Sequence, residues 1–177
     1  MLKYFVKLFV ITFLFFVSTN VYSNEITQIK YIDLKVVLNE SKAGEKAQTY
    51  LKKTAQNDIK RFKKIEEELQ EKEKELIEKK NVIDKEEYGK MANDLREKVR
   101  AYQKDRNDSL QKIATQRAKA RSKLVETLKP ILEKYSKENN ISVILNKKDT
   151  LFAMPELDIT KPIIDILNKN LPSIDLK

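Results

Sequence analysis

The sequence predicts an α+β protein in which a small β-rich body, built from both ends of the chain, carries a long projecting hairpin of antiparallel α-helices. Two observations favour this fold class. Stretches rich in β-branched residues lie near the two ends, at residues 26–32 and 141–147, and a long charged segment with heptad spacing separates them. For the two ends to pair in one sheet, the helical middle must leave the body and return to it, as a hairpin does.

The amino-terminal segment has the three-part composition of a secretory signal peptide. Lys3 and Lys7 accompany an apolar run from Leu8 to Val17, and Ser23 supplies the small residue expected at a cleavage site. A membrane anchor is the alternative, but this run is about half of the roughly twenty residues that a membrane-spanning helix requires. We therefore expect the chain to be exported, with residues 1–23 removed by cleavage after Ser23.

The first body segment, residues 24–40, combines a strand with a short helix. Residues 26–32 have the β-branched and aromatic content of a strand. An apolar cluster from Leu34 to Leu38 follows, and Asp33 stands where an N-cap would begin a helical turn. We expect this strand to pair with the later β-rich stretch.

Residues 41–129 are predicted to form the arm, a coiled-coil-like hairpin of two helices. Ser41 is a candidate N-cap for the first helix. Asp84, with Glu87 three residues later, is typical of the start of a second helix. The tip of the hairpin is therefore expected at about residues 81–86.

An apolar stripe at heptad spacing predicts that the two helices pack against each other. Lysine and glutamate interrupt the stripe near residues 72 and 79, so we expect an arm that bends and splays toward its tip. The stripe residues are Leu51, Ala55, Ile59, Phe62, Ile65, Leu69 and Leu76 in the first helix, and Tyr88, Leu95 and Tyr102 in the second.

The second body segment covers residues 130–177. Pro130 has apolar residues on both sides and predicts a kink in the returning helix rather than its end. Two asparagines then end the helix, after which "ISVILNK" is predicted to be a buried strand and "TLFAM" a further short strand. Asp158 and Thr160 are expected to cap a final helix.

Composition limits the chemistry that the chain can perform. The sequence has no cysteine, no histidine and two glycines. Thiol or Ser-His-Asp catalysis, ordinary zinc sites and glycine-rich phosphate loops are therefore excluded. We expect no catalytic residues, no bound metal and no cofactor.

Positive charge is concentrated in the predicted arm. The chain has a formal charge of +9, and loss of Lys3 and Lys7 with the leader would leave +7. Residues 42–129 hold 25 Lys and Arg against 17 Asp and Glu, a surplus of 8, so the rest of the mature chain is close to neutral. Such a surplus favours acidic partners.

The predicted body is too small to bury much apolar surface as a monomer. It comprises the 17 residues of 24–40 and the 48 residues of 130–177. A sheet of two or three strands also has exposed edges. Oligomerisation through the body would cover both the apolar surface and the edges.

The order of these segments resembles the Skp (OmpH-like) family of periplasmic chaperones. The resemblance rests on "IKYIDLKVVLNESKAGEKAQTYL", the charged hairpin, "NNISVILNKKDTLFA" and "LDITKPIIDILN", and it covers nearly the whole mature chain. It implies a periplasmic homotrimer whose three arms hold unfolded outer-membrane proteins in a central cavity without ATP, and it brings no catalytic motif. The residues expected at the trimer contacts of the body are Ile29, Tyr31, Val143, Ile144 and Leu145.

A periplasmic holdase is therefore the first functional hypothesis. One alternative is a structural coiled-coil protein of the envelope without client binding, which would need a continuous seam. Another is a nucleic-acid binder, which export and the interspersed acidic residues disfavour. Candidate client contacts, which could instead fill the hairpin seam, are Phe62, Tyr88, Met91 and Tyr102. Candidates for binding an anionic lipid or lipopolysaccharide surface, which could instead face solvent, are Arg117, Lys119, Arg121 and Lys123.

Overall fold

The computed structural model describes residues 28–176, so the predicted leader lies outside the described residues. A long helical hairpin stands on a small body that contains a parallel pair of strands, and the predicted fold class is confirmed. In chain order the elements are β1 (Gln28–Ile32), α1 (Leu34–Glu40), α2 (Lys42–Lys79), α3 (Lys85–Glu138), β2 (Ile141–Asn146) and α4 (Thr160–Asn170).

The two strands pair in parallel, with the whole helical hairpin as the connection between them. Ile29 lies opposite Val143 and Tyr31 opposite Leu145. Side chains alternate along a strand, so one face of the sheet carries Ile32 and Ile144 toward the core. The other face carries the pairs of Ile29 with Val143 and of Tyr31 with Leu145. The strand "ISVILNK", predicted to be buried, is therefore buried on one face and exposed at Val143 and Leu145.

The prediction of a further strand at "TLFAM" is wrong. Residues 150–154 form an irregular segment between two short 3-10 helices, Lys147–Asp149 and Pro155–Leu157. The segment has strand-like composition, but strand formation also depends on packing against neighbouring side chains, and in the single chain this segment packs against few of them. Its side chains Leu151, Phe152 and Met154 are largely exposed.

The predicted N-caps of the arm helices are confirmed. The Ser41 hydroxyl accepts a hydrogen bond from the Gly44 amide at 3.2 Å at the start of α2. At the start of α3, one Asp84 carboxylate oxygen accepts from the amides of Glu86 and Glu87, both at 2.9 Å. Each bond satisfies an amide that the first turn of a helix leaves without a backbone partner.

Caps also join the two ends of the body. Asp33 caps α1 as predicted, accepting from the Val36 amide at 3.0 Å. The predicted cap role of Thr160 is wrong, because its hydroxyl instead accepts from the backbone amide of Asp33 at 2.8 Å. Asp158 accepts from the Thr160 amide at 2.8 Å. The start of α4 is thereby tied to the start of α1.

The core of the body lies between α1, the lower part of α3 and α4. Its fully buried side chains include Val37, Ile163 and Leu167, which pack with Leu124 and Leu128 of α3. The returning arm helix therefore forms part of the body core. As predicted, Pro130 does not end this helix, which continues to Glu138.

A second, smaller cluster lies where the arm leaves the body. It consists of Ala47 and Leu51 of α2, Ala120 of α3, and Leu176 near the carboxyl terminus. Residues 171–176 after α4 thus pack across both arm helices. Ile174 packs against this cluster and against the main core, so it links the two.

Candidate functional site

The arm is the feature that distinguishes this fold from a compact α+β domain. At about 1.5 Å per residue, the 38 residues of α2 span about 57 Å and the 54 residues of α3 about 81 Å. A turn at residues 80–84 joins them. Because α3 is longer, its last part reaches past the start of α2 into the body core.

Halfway along the arm, an aromatic pair fills the seam between the helices. The Phe62 side chain is 8% exposed, and its ring meets the ring of Tyr102 edge to face, with centroids 6.0 Å apart and planes at 75°. The Arg61 guanidinium lies 4.3 Å from the centroid of the Phe62 ring. The ring pair holds α2 and α3 together at this level, and Arg61, on the same helix as Phe62, covers its ring.

A polar network covers one side of the same level. Arg61 donates to both carboxylate oxygens of Asp105 and lies 3.5 Å from Asp58. The hydrogen bond to Asp105 raises the pKa of Arg61 above its usual value. The Ser109 hydroxyl donates to Asp58 across the seam. Hydrogen bonds and an ion pair therefore join α2 and α3 at a level where the seam contains the polar residues Asp58 and Ser109.

The four residues predicted to contact a client lie in or beside the seam. Phe62 is buried there against Tyr102, so its ring is largely unavailable to a partner. Tyr88 and Met91, near the tip, are partly buried. The seam-filling alternative describes the Phe62 and Tyr102 contact directly, and a client-binding role for these residues stays a prediction.

Exposed apolar side chains of the arm lie elsewhere. Ile59 is 67% exposed and Leu110 is 60% exposed, and Ile77 and Val82 near the tip are also exposed. The assignment of Ile59 to the seam stripe is wrong, because Asp58 occupies the seam at this level. A signal was available, since Asp58 is seven residues from both Leu51 and Ile65, and Ile59 lies one residue beyond that spacing.

The four basic candidates do not form one cluster. All four side chains are exposed on α3. Residues four apart share a face of a helix and residues two apart do not, so Arg117 and Arg121 lie on one side and Lys119 and Lys123 on the other. The lysine pair lines a groove of about 480 Å³ beside Ile174 of the carboxyl-terminal tail. Their binding to an anionic surface stays a prediction.

The residues predicted at trimer contacts divide into two groups. Ile29, Val143 and Leu145 share the outer face of the sheet, with 42% to 46% of each side chain exposed. Tyr31 lies on the same face, opposite Leu145, but is buried within the single chain, and Ile144 is on the core side of the sheet. Ile144 packs against the core, and the Tyr31 carbonyl accepts from the Ile159 amide at 3.0 Å. Burial, with a smaller contribution from Asp158, raises the pKa of the Tyr31 hydroxyl.

Membrane-spanning helices and clusters of metal-ligating side chains are two further features considered for residues 28–176. Among them, no helix combines the length and apolar composition needed to cross a bilayer. In the same residues no three carboxylates are grouped closely enough to hold a metal ion.

A charged helical hairpin rooted in a small body with a parallel strand pair defines a class of arm-bearing α+β proteins. The model of the OmpH-like outer membrane protein family matches residues 28–167. Within this class, the chain therefore belongs to the Skp (OmpH-like) family, and the resemblance drawn from the sequence is confirmed.

Two individual proteins show the same relationship. A Skp-like protein of Chlamydia pneumoniae is 31% identical over 145 residues, which cover 79% of this chain and 83% of the relative. The crystal structure of an OmpH-like protein of Caulobacter crescentus has the same fold, with a TM-score of 0.76 and 19% sequence identity. That match covers 85% of this chain and 89% of the other.

Proposed function

We propose that this protein is an ATP-independent holdase chaperone of the periplasm. Three copies assemble through their bodies, and unfolded outer-membrane proteins bind in the cavity between the arms, where they are kept from aggregating. Membership of a family described as OmpH-like outer membrane proteins supports the choice of client. The observation that carries the proposal is the combination, in one chain, of a long basic arm and an uncovered apolar face on the body that supports it.

The uncovered face supports self-assembly. Ile29, Val143 and Leu145 lie together on the outer face of the sheet, and exposed Leu151 and Phe152 follow β2 closely in the chain. Apolar surface of this kind on a soluble protein is typical of an interaction site. A closed ring of copies would cover it without leaving a free edge. We assign residues 24–40 and 130–177 to this assembly body and residues 41–129 to the arm.

The arm supports weak binding to many clients. Its surplus of 8 positive charges over residues 42–129 would speed the approach of acidic segments of an unfolded chain. Ion pairs along the arm, such as Glu86 with Lys90, are exposed and contribute little rigidity. A binder that accepts many sequences benefits from such an adaptable surface. Release then needs no chemical fuel, because each contact is weak.

Export would bring the chaperone to its clients. The leader with cleavage after Ser23 would place the mature chain, beginning at Asn24, in the periplasm. In that compartment the exposed basic pairs of α3, with Arg117 on one side and Lys119 on the other, could also contact anionic lipid or lipopolysaccharide. Mass spectrometry of the exported protein would identify the residue with which the mature chain begins.

The proposal is tested by an aggregation assay. A denatured outer-membrane β-barrel protein is diluted from urea with and without the purified mature chain, in the absence of ATP, and light scattering is recorded. We expect scattering to be suppressed at a slight molar excess of trimer over client. Unchanged scattering would overturn the holdase function and favour the structural alternative, a coiled-coil protein without clients.

A further inference from the structure

Two exposed apolar side chains of the arm lie at the same height on its two helices. Ile59 of α2 follows Asp58, and Leu110 of α3 follows Ser109. Asp58 and Ser109 are hydrogen-bonded to each other across the seam. Because this bond fixes the level at which the two helices meet, Ile59 and Leu110 are opposite each other along the arm.

Helix geometry places both side chains on the same side of the hairpin. One residue along an α-helix corresponds to a rotation of about 100°. Viewed along the arm, α2 and α3 run in opposite directions, so this rotation is clockwise on one helix and counterclockwise on the other. Because Asp58 and Ser109 face each other across the seam, the residues that follow them, Ile59 and Leu110, both turn toward the same side of the hairpin. By the same geometry, the ion pair of Arg61 with Asp105 lies on the opposite side of the hairpin. The hairpin therefore has a polar side and an apolar side at this level.

Positive charge surrounds the apolar side. The residue four after Ile59 is Lys63, and the residue four before Leu110 is Arg106, so each stands one helical turn away on the same face. The other two positions four residues away are Ala55, before Ile59, and Ala114, after Leu110, and neither is acidic. In the described part of the chain, Arg106 takes part in none of the ion pairs.

Lys63 keeps most of its charge available to a partner. Its nearest acid, Glu67, lies 3.8 Å away on the next turn, and both side chains are more than 60% exposed, at 76% and 61%. An exposed pair at this distance is well screened by solvent. The apolar side of the arm therefore offers two branched side chains flanked by two cations.

We propose that Ile59 and Leu110 form a client-contact patch, called here the arm patch, which binds extended segments of unfolded polypeptide that carry apolar and acidic side chains. The inference rests on the proposed holdase function and assigns the binding to one side of the arm. Apolar contact holds the segment, and Lys63 and Arg106 favour segments with carboxylates. One patch is weak by itself, as a holdase that releases its clients without fuel requires.

An unfolded polypeptide fits the arm patch better than a second copy of this chain or a nucleic-acid strand does. Two side chains make a patch far smaller than the roughly 800 Å² per partner that a stable protein–protein interface buries, so a second copy of the chain is disfavoured. A nucleic-acid strand would need aromatic stacking platforms, but the nearest aromatic rings, Phe62 and Tyr102, pack against each other in the seam. An unfolded chain needs neither a large flat surface nor stacking.

The test compares two double variants with the wild-type mature protein. Ile59→Ser with Leu110→Ser removes the arm patch. Ile77→Ser with Val125→Ser removes one exposed apolar side chain from each of the same helices, about 27 Å and 22 Å along the helices from the patch. All four side chains are exposed, so we expect both variants to fold, and circular dichroism checks that they do.

Affinity for an unfolded outer-membrane β-barrel protein, kept unfolded in dilute urea, is measured by fluorescence titration. We expect the patch variant to bind about five- to tenfold more weakly than wild type and the control variant to stay within about twofold. Equal affinities of patch variant and wild type, or an equal loss in the control, would overturn the arm patch alone. Absence of binding by wild type would overturn the holdase function as well.

A charge variant provides an independent readout. Lys63→Gln with Arg106→Gln should weaken binding and reduce its dependence on salt, because these side chains supply the cations beside the patch. Lys90→Gln with Lys98→Gln removes the same charge nearer the tip, from lysines that are paired with Glu86 and Asp94. An equal effect of the two charge variants would contradict a local role for Lys63 and Arg106.

Discussion

The side-chain amide of Gln116 donates a hydrogen bond to the backbone carbonyl of Leu176, which joins the arm to the carboxyl-terminal tail. Leu176 itself is 4% exposed and packs with Leu51 and Ala120. On the same stretch of tail, the Lys46 ammonium donates to the Pro172 carbonyl at 3.1 Å. The tail therefore contacts both arm helices where they leave the body.

Loss of the Leu176 side chain should loosen the root of the arm. We expect Leu176→Ala to lower the free energy of unfolding by about 2 kcal/mol, the lower end of the range for a buried leucine, because the cluster around it is small. Urea denaturation at fixed protein concentration measures the change. Leu110→Ala, at an exposed position of α3, is the control and should change stability by less than about 0.5 kcal/mol. Equal effects would show that the tail does not stabilise the arm.

The two glycines should respond in opposite directions to the same substitution. A Cβ at Gly44 would lie 1.9 Å from the carbonyl oxygen of Leu38, so the start of α2 would have to move away from the end of α1. We expect Gly44→Ala to destabilise the protein by about 1–3 kcal/mol. Gly89 is helical with nothing within 4 Å of its added Cβ, so Gly89→Ala should stabilise α3 by up to about 1 kcal/mol. Thermal unfolding of both variants distinguishes the signs, and a neutral Gly44→Ala would contradict the close approach.

Neighbouring apolar residues of α2 should differ sharply in their effect on stability. Phe62→Ala removes a ring that is buried against Tyr102, and we expect a loss of about 3 kcal/mol in the free energy of unfolding. Ile59→Ala truncates an exposed side chain and should cost less than about 0.5 kcal/mol. Urea denaturation of the two variants measures the contrast. A large loss in Ile59→Ala would place Ile59 in the seam after all.

Self-association should depend on the outer face of the sheet. Leu145→Asp puts a charge into the proposed contact between bodies, and because Leu145 is exposed in the single chain, the monomer should still fold. We expect sedimentation velocity at micromolar concentration to show a trimer for wild type and a monomer for this variant. Val82→Asp is the control, because it introduces the same charge at an exposed apolar position of the arm tip, and it should remain a trimer. A trimeric Leu145→Asp protein would place the contact elsewhere.

Features with local causes could be predicted from the sequence. The caps at Ser41 and Asp84 depend on a side chain and amides two or three residues away, so the local sequence contains the whole interaction. The hairpin followed from heptad spacing on both sides of a turn, and the pairing of the two strands followed from β-branched residues near the two ends; their parallel direction was not predicted. These signals also carried the family resemblance.

Features with distant causes could not be predicted in the same way. Threonine often caps helices, but the Thr160 hydroxyl accepts a hydrogen bond from the Asp33 amide, 127 residues away in the chain. The segment at 150–154 has the residues of a strand, but its large apolar side chains are exposed in the single chain, so no packing holds it in a strand. The burial of Leu176 depends on a pocket formed by both arm helices, and no period in the tail sequence indicates it. At Ile59, the polar neighbour Asp58 occupies the seam through its bond to Ser109 on the other helix, so apolar character alone gives the wrong seam residue.

We propose that the arms of one assembled trimer together hold one unfolded client. Native mass spectrometry of the mature protein mixed with an unfolded outer-membrane β-barrel protein tests it most directly. We expect a complex of three copies of this chain with one client, formed without ATP. A single copy bound to client, or no complex beside an intact trimer, would contradict it.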